Sequence, residues 1–329
     1  QGDDRFAGRK EINVEKLVYE YYNSVILRLK QEVEANRFQN HLSISLKWLN
    51  KAMNQAIQSS VLKIVQVALA EKQEAFDSNL NLIGIGEWVY EISTAQVRQT
   101  RAEDFILRSV GAAYDASATC PNWEGFLDEI MQRDLEMIAY LQRLAGYLLT
   151  GSVAEQEIYF FYGSGSNGKS TFLDIIKALL GDYAVKISSD SIMKAQSRGR
   201  SNGANADIAK LAGARLGMTD EMRDDTATFD TQVLKSISGD EEITARLLYR
   251  NPITFKSTAK IVMYGNDKPY GNINDEGFWR RLRFIHFAHV IPPEDRDKDL
   301  LPRLKSELPG ILNWALAGLA KWQKTGLAT

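Results

Sequence analysis

Residues 158–180 read IYFFYGSGSNGKSTFLDIIKALL: an apolar run, a glycine- and serine-rich loop ending in Gly-Lys-Ser, then an amphipathic run. A strand-like segment and a helix-like segment on either side of such a loop decide the fold class, an α/β domain. Gly163, Gly165 and Gly168 let the backbone turn tightly, so that its N–H groups converge at a helix N-terminus, where anions are stabilised. Ser164, Ser166 and Asn167 complete the loop. Lys169 brings a positive charge to the β- and γ-phosphates of a nucleoside triphosphate, Ser170 offers a hydroxyl to Mg²⁺, and Thr171 caps or buttresses the first helical turn. The alternative is a glycine-serine loop that binds nothing, and the strand and helix patterns on its two sides oppose it.

A phosphate loop needs an acidic partner. The stretch ARLGMTDEM (214–222) supplies one, an apolar strand ending in Asp220 and Glu221. One carboxylate holds the metal through water while the other aims the attacking water; Asp220 is read mainly as the magnesium residue and Glu221 mainly as the water residue. A solvated acidic turn is the bland reading. In KIVMYGNDKP (260–269) a strand delivers Asn266, whose amide can meet both the γ-phosphate and the water. Alone, that sequence is only a turn. Arg280, Arg281 and Arg283 then crowd DEGFWRRLRFIHF (275–287). Surface salt bridging competes with a second reading, a guanidinium reaching across a subunit boundary to a transferring phosphoryl group.

Around these motifs the texture changes near residue 150. Residues 11–76 lack Pro and Gly, and Leu46, Leu49, Met53, Ile57, Val61 and Val65 form an inward helical stripe. NLIGIGEWVYEIST suggests a short β-hairpin near 82–92, and the chain turns helical from Trp123 to about Leu149, with Gly151 as the stop. The expected organisation is a mainly helical N-terminal domain, 1–150. An α/β nucleotide-binding domain, 151–329, would follow, with a central parallel sheet and C-terminal helices.

The formal charge of −2 argues against non-specific coating of nucleic acid, so any polyanion must meet locally placed cations or several subunits at once. One cysteine, Cys120, excludes an intrachain disulfide framework and fits a reducing cytoplasm. The 3 histidines show no metal-ligand spacing, and His286 and His289 read as strand or core. No apolar run is long enough to span a bilayer. The polar start QGDDRFAGRK, without an initiator methionine, reads as the edge of a fragment of a longer protein.

Taken in order, the Asn-Gly-Lys-Ser loop, the acidic strand, SGDEEITARLLYRNPITFKSTAKIVMYGNDKP and FWRRLRFIHF resemble a superfamily 3 helicase. More narrowly they resemble the helicase half of phage, plasmid and poxvirus primase–helicases, over about residues 80–290. The resemblance implies an AAA+-like P-loop ATPase core at 151–329, a collar or oligomerisation role for 1–150, ATP and Mg²⁺ as ligands, and a homo-oligomeric ring, commonly a hexamer, with ATP sites between neighbours and single-stranded DNA in the pore. Lys169, Ser170, Asp220, Glu221 and Asn266 match the family's catalytic positions, and Arg281, or else Arg280, its arginine finger. The segment before the sensor would be a pore hairpin. Its candidate phosphate contacts are Lys235, Arg246, Arg250 and Lys256, with Tyr249 for base stacking. No primase or polymerase segment is visible, so priming would lie on another part of the protein or on another chain.

The expected function is an ATP-dependent, ring-forming DNA helicase of phage, plasmid or mobile-element replication, in the host cytoplasm if phage-encoded. The rivals are a P-loop ATPase that remodels a protein partner and a nucleotide-locked DNA-binding ring without unwinding. A small-molecule kinase is more remote, since no acceptor lid or base is visible.

Overall fold

The computed structural model describes residues 75–194, 202–222, 229–247, 251–268 and 275–327. The chain divides into two units, 1–73 and 74–329, and every described residue belongs to the second. The helical stripe from Leu46 to Val65 lies outside the described residues.

Strands β1 (Leu82–Ile85), β2 (Trp88–Glu91) and β3 (Gln96–Gln99) form an antiparallel meander, which puts a hairpin where one is expected and adds a third strand. Next come α1 (Pro121–Ile130) and α2 (Leu135–Leu148). The single helix expected from Trp123 to Leu149 is therefore two. Gln132 and Arg133 turn left-handed, at φ 52° and 59°, while the Arg133 N–H closes onto the Asp128 carbonyl at 2.8 Å. Asp134 then starts the second helix by accepting the Met137 N–H at 3.0 Å. A good N-cap residue inside an otherwise helical pattern won over continuity.

Strand β4 (Ile158–Tyr162) leads into α3 (Lys169–Leu180), followed by β5 (Ala184–Lys186), α4 (Asn202–Ala209) and β6 (Leu216–Met222). Helix α5 (Thr231–Ser238) precedes a hairpin of β7 (Glu242–Ala245) and β8 (Ile253–Lys256). The remaining elements are β9 (Lys260–Gly265), α6 (Glu276–Trp279), β10 (Leu282–His286), α7 (Leu300–Ser306) and α8 (Leu308–Thr325).

Five strands form one parallel sheet in the order β10-β4-β9-β6-β5. Side chains alternate across it, as strand geometry requires. Tyr159 and Phe161 of β4 join a core with α1, α2, α3 and α8, whereas Ile158 and Phe160 join a second core with α4, α5 and α6. Burial on both faces explains why β4 and β9 read as continuous apolar runs.

A boundary at residue 150 does not match this packing: the chain divides at 73/74, and residues before and after 150 share one core. Helix α2 lies against α8 so closely that a Cβ on Gly146 would collide with backbone at Ala315 and Leu319, and one on Gly318 with the Gln142 carbonyl. Two buried cations fasten the same region to the sheet. Arg215 donates to the carbonyls of Leu149 and Leu82, and Lys260 to that of Thr150. These include acceptors at the C-terminal end of α2 that have no intrahelical donor. Gly318→Ala is expected to lower stability by about 1–3 kcal/mol, because overpacking at a backbone contact outweighs the better helix propensity of alanine. An unchanged or raised denaturation midpoint would show that the α2–α8 approach is not tight.

Among the histidines, His286 does lie on a strand, but its ring is exposed and stacks on Tyr162 at 4.5 Å between centroids. Cys120 is a buried free thiol whose pKa burial pushes up to about 12.

Candidate functional site

The loop joining β4 to α3 lies at the C-terminal edge of the parallel sheet. Gly163, Gly165 and Gly168 have φ values of 151°, 89° and 78°, and Ser166 follows the same sense at 50°. Glycine is required for two different reasons. At Gly163 an added Cβ would meet the Phe287 carbonyl and the Asn167 amide, and at Gly168 it would come within 2.5 Å of Ile130 and 3.0 Å of Phe126. Nothing stands within 4 Å of a Cβ built on Gly165, so that side of the loop is open. A loop closed behind and open in front, at the start of a 12-residue helix, suits an anion's oxygen atoms.

Lys169 is buried, and its ammonium donates to the carbonyls of Gly163 at 3.1 Å and Gly265 at 2.5 Å. Burial lowers its pKa, and the charges of Glu221 and Asp267 oppose that shift. Asn167 turns inward: its amide donates to the Phe287 carbonyl at 3.0 Å and its oxygen accepts the Lys169 N–H at 3.3 Å. It braces the loop from behind. Ser164, Ser166 and Ser170 are exposed, and Thr171 is half-buried.

Two neighbouring strands bring their ends to this loop. Asn266, just past β9, accepts the Gly163 N–H on its carbonyl at 3.1 Å, and its side chain is exposed. On β6 the register shifts between Met218 and Glu221, after which Glu221 pairs with Tyr264 and Met222 with Gly265. Such an irregularity re-aims side chains at a strand end. Glu221 is exposed toward solvent, whereas Asp220 accepts the Ser189 N–H at 2.8 Å. Lys169, Glu221 and Asn266 thus come together, and Asp220, next to Glu221 on β6, turns toward the 189–192 segment. Sequence reasoning missed Asp267, the second acid felt by Lys169, although it stands next to Asn266 in GNDKP. It also missed Thr219, whose buried hydroxyl has no hydrogen-bond partner.

The arginines are elsewhere. Leu282 of β10 pairs with Ile158 of β4, and the Ile158 N–H donates to the Arg281 carbonyl at 2.8 Å. Arg280 and Arg281 therefore sit at the N-terminal edge of the sheet, a strand length of about 15 Å from the loop. Arg283 pairs with Glu157 at 2.6 Å. Arg281 reaches the Ser238 hydroxyl at 3.4 Å and keeps a buried Nε without a partner. Arg280 is exposed at the end of α6 and makes no ion pair among the described residues.

Of the five candidates for nucleic acid, Arg246 and Lys256 lie on the β7–β8 hairpin, both exposed, with Lys256 paired to Asp240 at 3.2 Å. Lys235 is not on the hairpin; it sits on α5 and pairs with Asp275 at 2.6 Å. Tyr249 and Arg250 lie outside the described residues.

Among the described residues no group of three or more His, Cys, Asp or Glu side chains could hold a metal by itself. The hard oxygen donors of Ser170, Asp220 and Glu221 nevertheless suit Mg²⁺ carried on a nucleotide, which keeps phosphate and water in its coordination shell. A parallel sheet whose inner strand runs through a glycine-rich turn into a helix, with a buried lysine at that turn, defines an α/β protein of the P-loop architectural class. Residues 5–132 match the family described as D5 N terminal like, and residues 161–281 match a family of unknown function, DUF5906. The chain is 30% identical over 272 residues to "Putative helicase L207/L206" of Acanthamoeba polyphaga mimivirus, covering 76% of this chain and 28% of that one. It is thus similar to a viral protein named as a helicase.

Further relatives agree. "Putative primase C962R" of African swine fever virus is 23% identical over 313 residues, covering 87% of this chain and 32% of the relative. "Putative helicase 184R" of Invertebrate iridescent virus 6 is 26% identical, covering 78% and 27%. The chain spans about three tenths of the length of these relatives. In fold it is similar to the apo structure of the NrS-1 C-terminal region, with a TM-score of 0.53 at 13% identity, over 79% of this chain and 59% of that one.

Proposed function

We propose that this chain is the ATP-driven motor part of a viral replication helicase, working as a ring on single-stranded DNA. The observation that carries the reading is the split of the functional groups between the two edges of one parallel sheet. The phosphate loop, Lys169, Glu221 and Asn266 meet at the C-terminal edge, and Arg280 and Arg281 stand at the other. An arginine that far from its own loop acts on a phosphate only if it belongs to a neighbouring copy. That supports ATP sites completed between subunits, and hence a closed ring.

In this reading the loop N–H groups and Lys169 hold the phosphates, and Glu221 and Asn266 orient the attacking water. Asp220 and Ser170 face the metal, which when bound with ATP offsets the phosphate charge. The β7–β8 hairpin, with Arg246 and Lys256 exposed, is the element proposed to follow the strand; repeated around a ring, it gives a basic pore despite a net charge of −2. The names of the viral relatives, and their greater length, support a larger replication protein in which priming is carried by another part or another chain.

The deciding measurement is ATP turnover with and without single-stranded DNA. Stimulation by oligonucleotide and none by unfolded protein is expected, together with strand displacement on a forked duplex. Stimulation by polypeptide alone would replace the helicase with a protein-remodelling ATPase. Tight DNA binding without turnover would replace it with a nucleotide-locked ring.

A further inference from the structure

Arg283, on β10, makes contacts in two directions. One nitrogen of its guanidinium pairs with the Glu157 carboxylate at 2.6 Å, and the other donates to the Arg280 carbonyl at 3.0 Å. Glu157 is buried just before β4, near Tyr140 of α2. A carboxylate in such a place is costly unless a cation meets it. Burial pushes its pKa up, and the charge of Arg283 opposes that shift.

The other end of the link is the turn between α6 and β10. Arg280 ends α6, where the last carbonyls have no donor within the helix. Its N–H donates back to the Glu276 carbonyl at 3.0 Å, its carbonyl accepts from Arg283, and the Arg281 carbonyl accepts the Ile158 N–H at 2.8 Å. The backbone at Arg280 is therefore tied to α6 on one side and to β4 on the other. Its side chain is exposed, with no ion pair among the described residues. A fixed backbone behind a free guanidinium suits a group whose target lies outside its own chain, because reach is useful only from a steady base. Capping of a short helix is the plainer account of the bond to the carbonyl. It does not explain why a buried carboxylate holds the same guanidinium from behind. Since β4 runs on into the phosphate loop, the link also joins the turn bearing Arg280 to the strand that carries the chain's own loop.

We propose that Arg283, anchored by Glu157, is a positioning residue for Arg280, fixing the turn that presents the Arg280 guanidinium to the phosphate site of a neighbouring copy. The inference rests on the proposed shared site and adds what aims the arginine.

The test uses the full chain carrying Glu157→Gln and Arg283→Met together, so that no buried charge is left alone. ATP affinity is expected to stay native while turnover falls roughly tenfold to a hundredfold, the scale of a small misplacement of a reacting group. Mixing is the readout that a merely structural role would not move. The double variant has an intact loop and a misaimed arginine, so partial recovery is expected with Lys169→Met and none with Arg280→Ala. Native turnover, recovery with Arg280→Ala, or no recovery with either partner overturns the inference. If the double variant does not fold, Arg283→Lys decides by the same measurements: lysine keeps a charge for Glu157 but lacks the fork that reaches the carbonyl as well. Arg280→Ala alone separates the two layers. Native turnover there sinks the shared site itself, whereas lost turnover there beside a fully active double variant sinks only the positioning role.

Discussion

Lys169→Met is expected to lower ATP turnover by a factor of about a thousand or more, the scale seen when a preorganised charge or donor is removed from a developing anion. The side chain does two jobs in the structure, and the choice of methionine separates them. Its ammonium ties the Gly163 and Gly265 carbonyls together, joining the ends of β4 and β9. Removing it leaves two buried acceptors without their donor, a cost of about 1–3 kcal/mol, while methionine keeps most of the volume. Thermal melts and circular dichroism should therefore show a folded, slightly weakened protein. Turnover, measured as phosphate release at saturating ATP, should be almost gone. A folded variant that hydrolyses ATP at the native rate would remove the assignment of this loop.

The second large effect concerns Arg280. Its substitution by alanine is expected to leave ATP binding intact and to reduce hydrolysis about a thousandfold, within the range reported for arginine fingers. The prediction is specific because of where the residue stands. A guanidinium at the N-terminal edge of β10 cannot meet the loop after β4 in its own chain, since the two strands run parallel and in register. Mixing Arg280→Ala with Lys169→Met should then restore part of the activity, through interfaces that combine one chain's intact loop with the other's intact arginine. Arg281→Ala is the matched comparison. Its guanidinium packs on Ser238 within the chain, so a folding defect is the expected loss there, with no rescue on mixing. Rescue of Arg281→Ala but not of Arg280→Ala would exchange the two roles. Absence of rescue in both pairs would argue that no site is shared.

Much of this was legible along the chain. Glycine spacing before Lys169, apolar runs ending in Asp220 and Asn266, and the hairpin near 82–92 are local patterns. Local sterics and burial on two faces produce them whatever surrounds them, and the parallel sheet with the loop at its edge follows. The helix break at Gln132–Arg133 was not legible, because propensity favours continuity and only the packing of α1 against the loop and α2 against α8 demands a reversal there. The boundary near 150 marked a real change of texture, from helical to alternating, yet packing ignores it: Arg215 and Lys260, at the starts of β6 and β9, reach across it to bind carbonyls.

At the site itself, residue types were decided by sequence and orientations were not. Asn167 belongs to the loop motif, yet its amide faces inward to Phe287, and Asp220 turns to Ser189 while Glu221 and Asp267 bear on Lys169. Direction depends on a one-residue register shift in β6, a property of how that strand pairs with β9. Likewise the three arginines are equivalent as letters; one is paired to Glu157, one packed on Ser238 and one exposed with no ion pair among the described residues, because α6 and β10 place them so. Sequence alone determined which chemistry the chain can hold, since the backbone turn and the charge are properties of single residues. Tertiary structure decided which groups stand together at the loop and which stand at the far edge of the sheet, since that depends on strand order and direction, and neither is written in any short stretch.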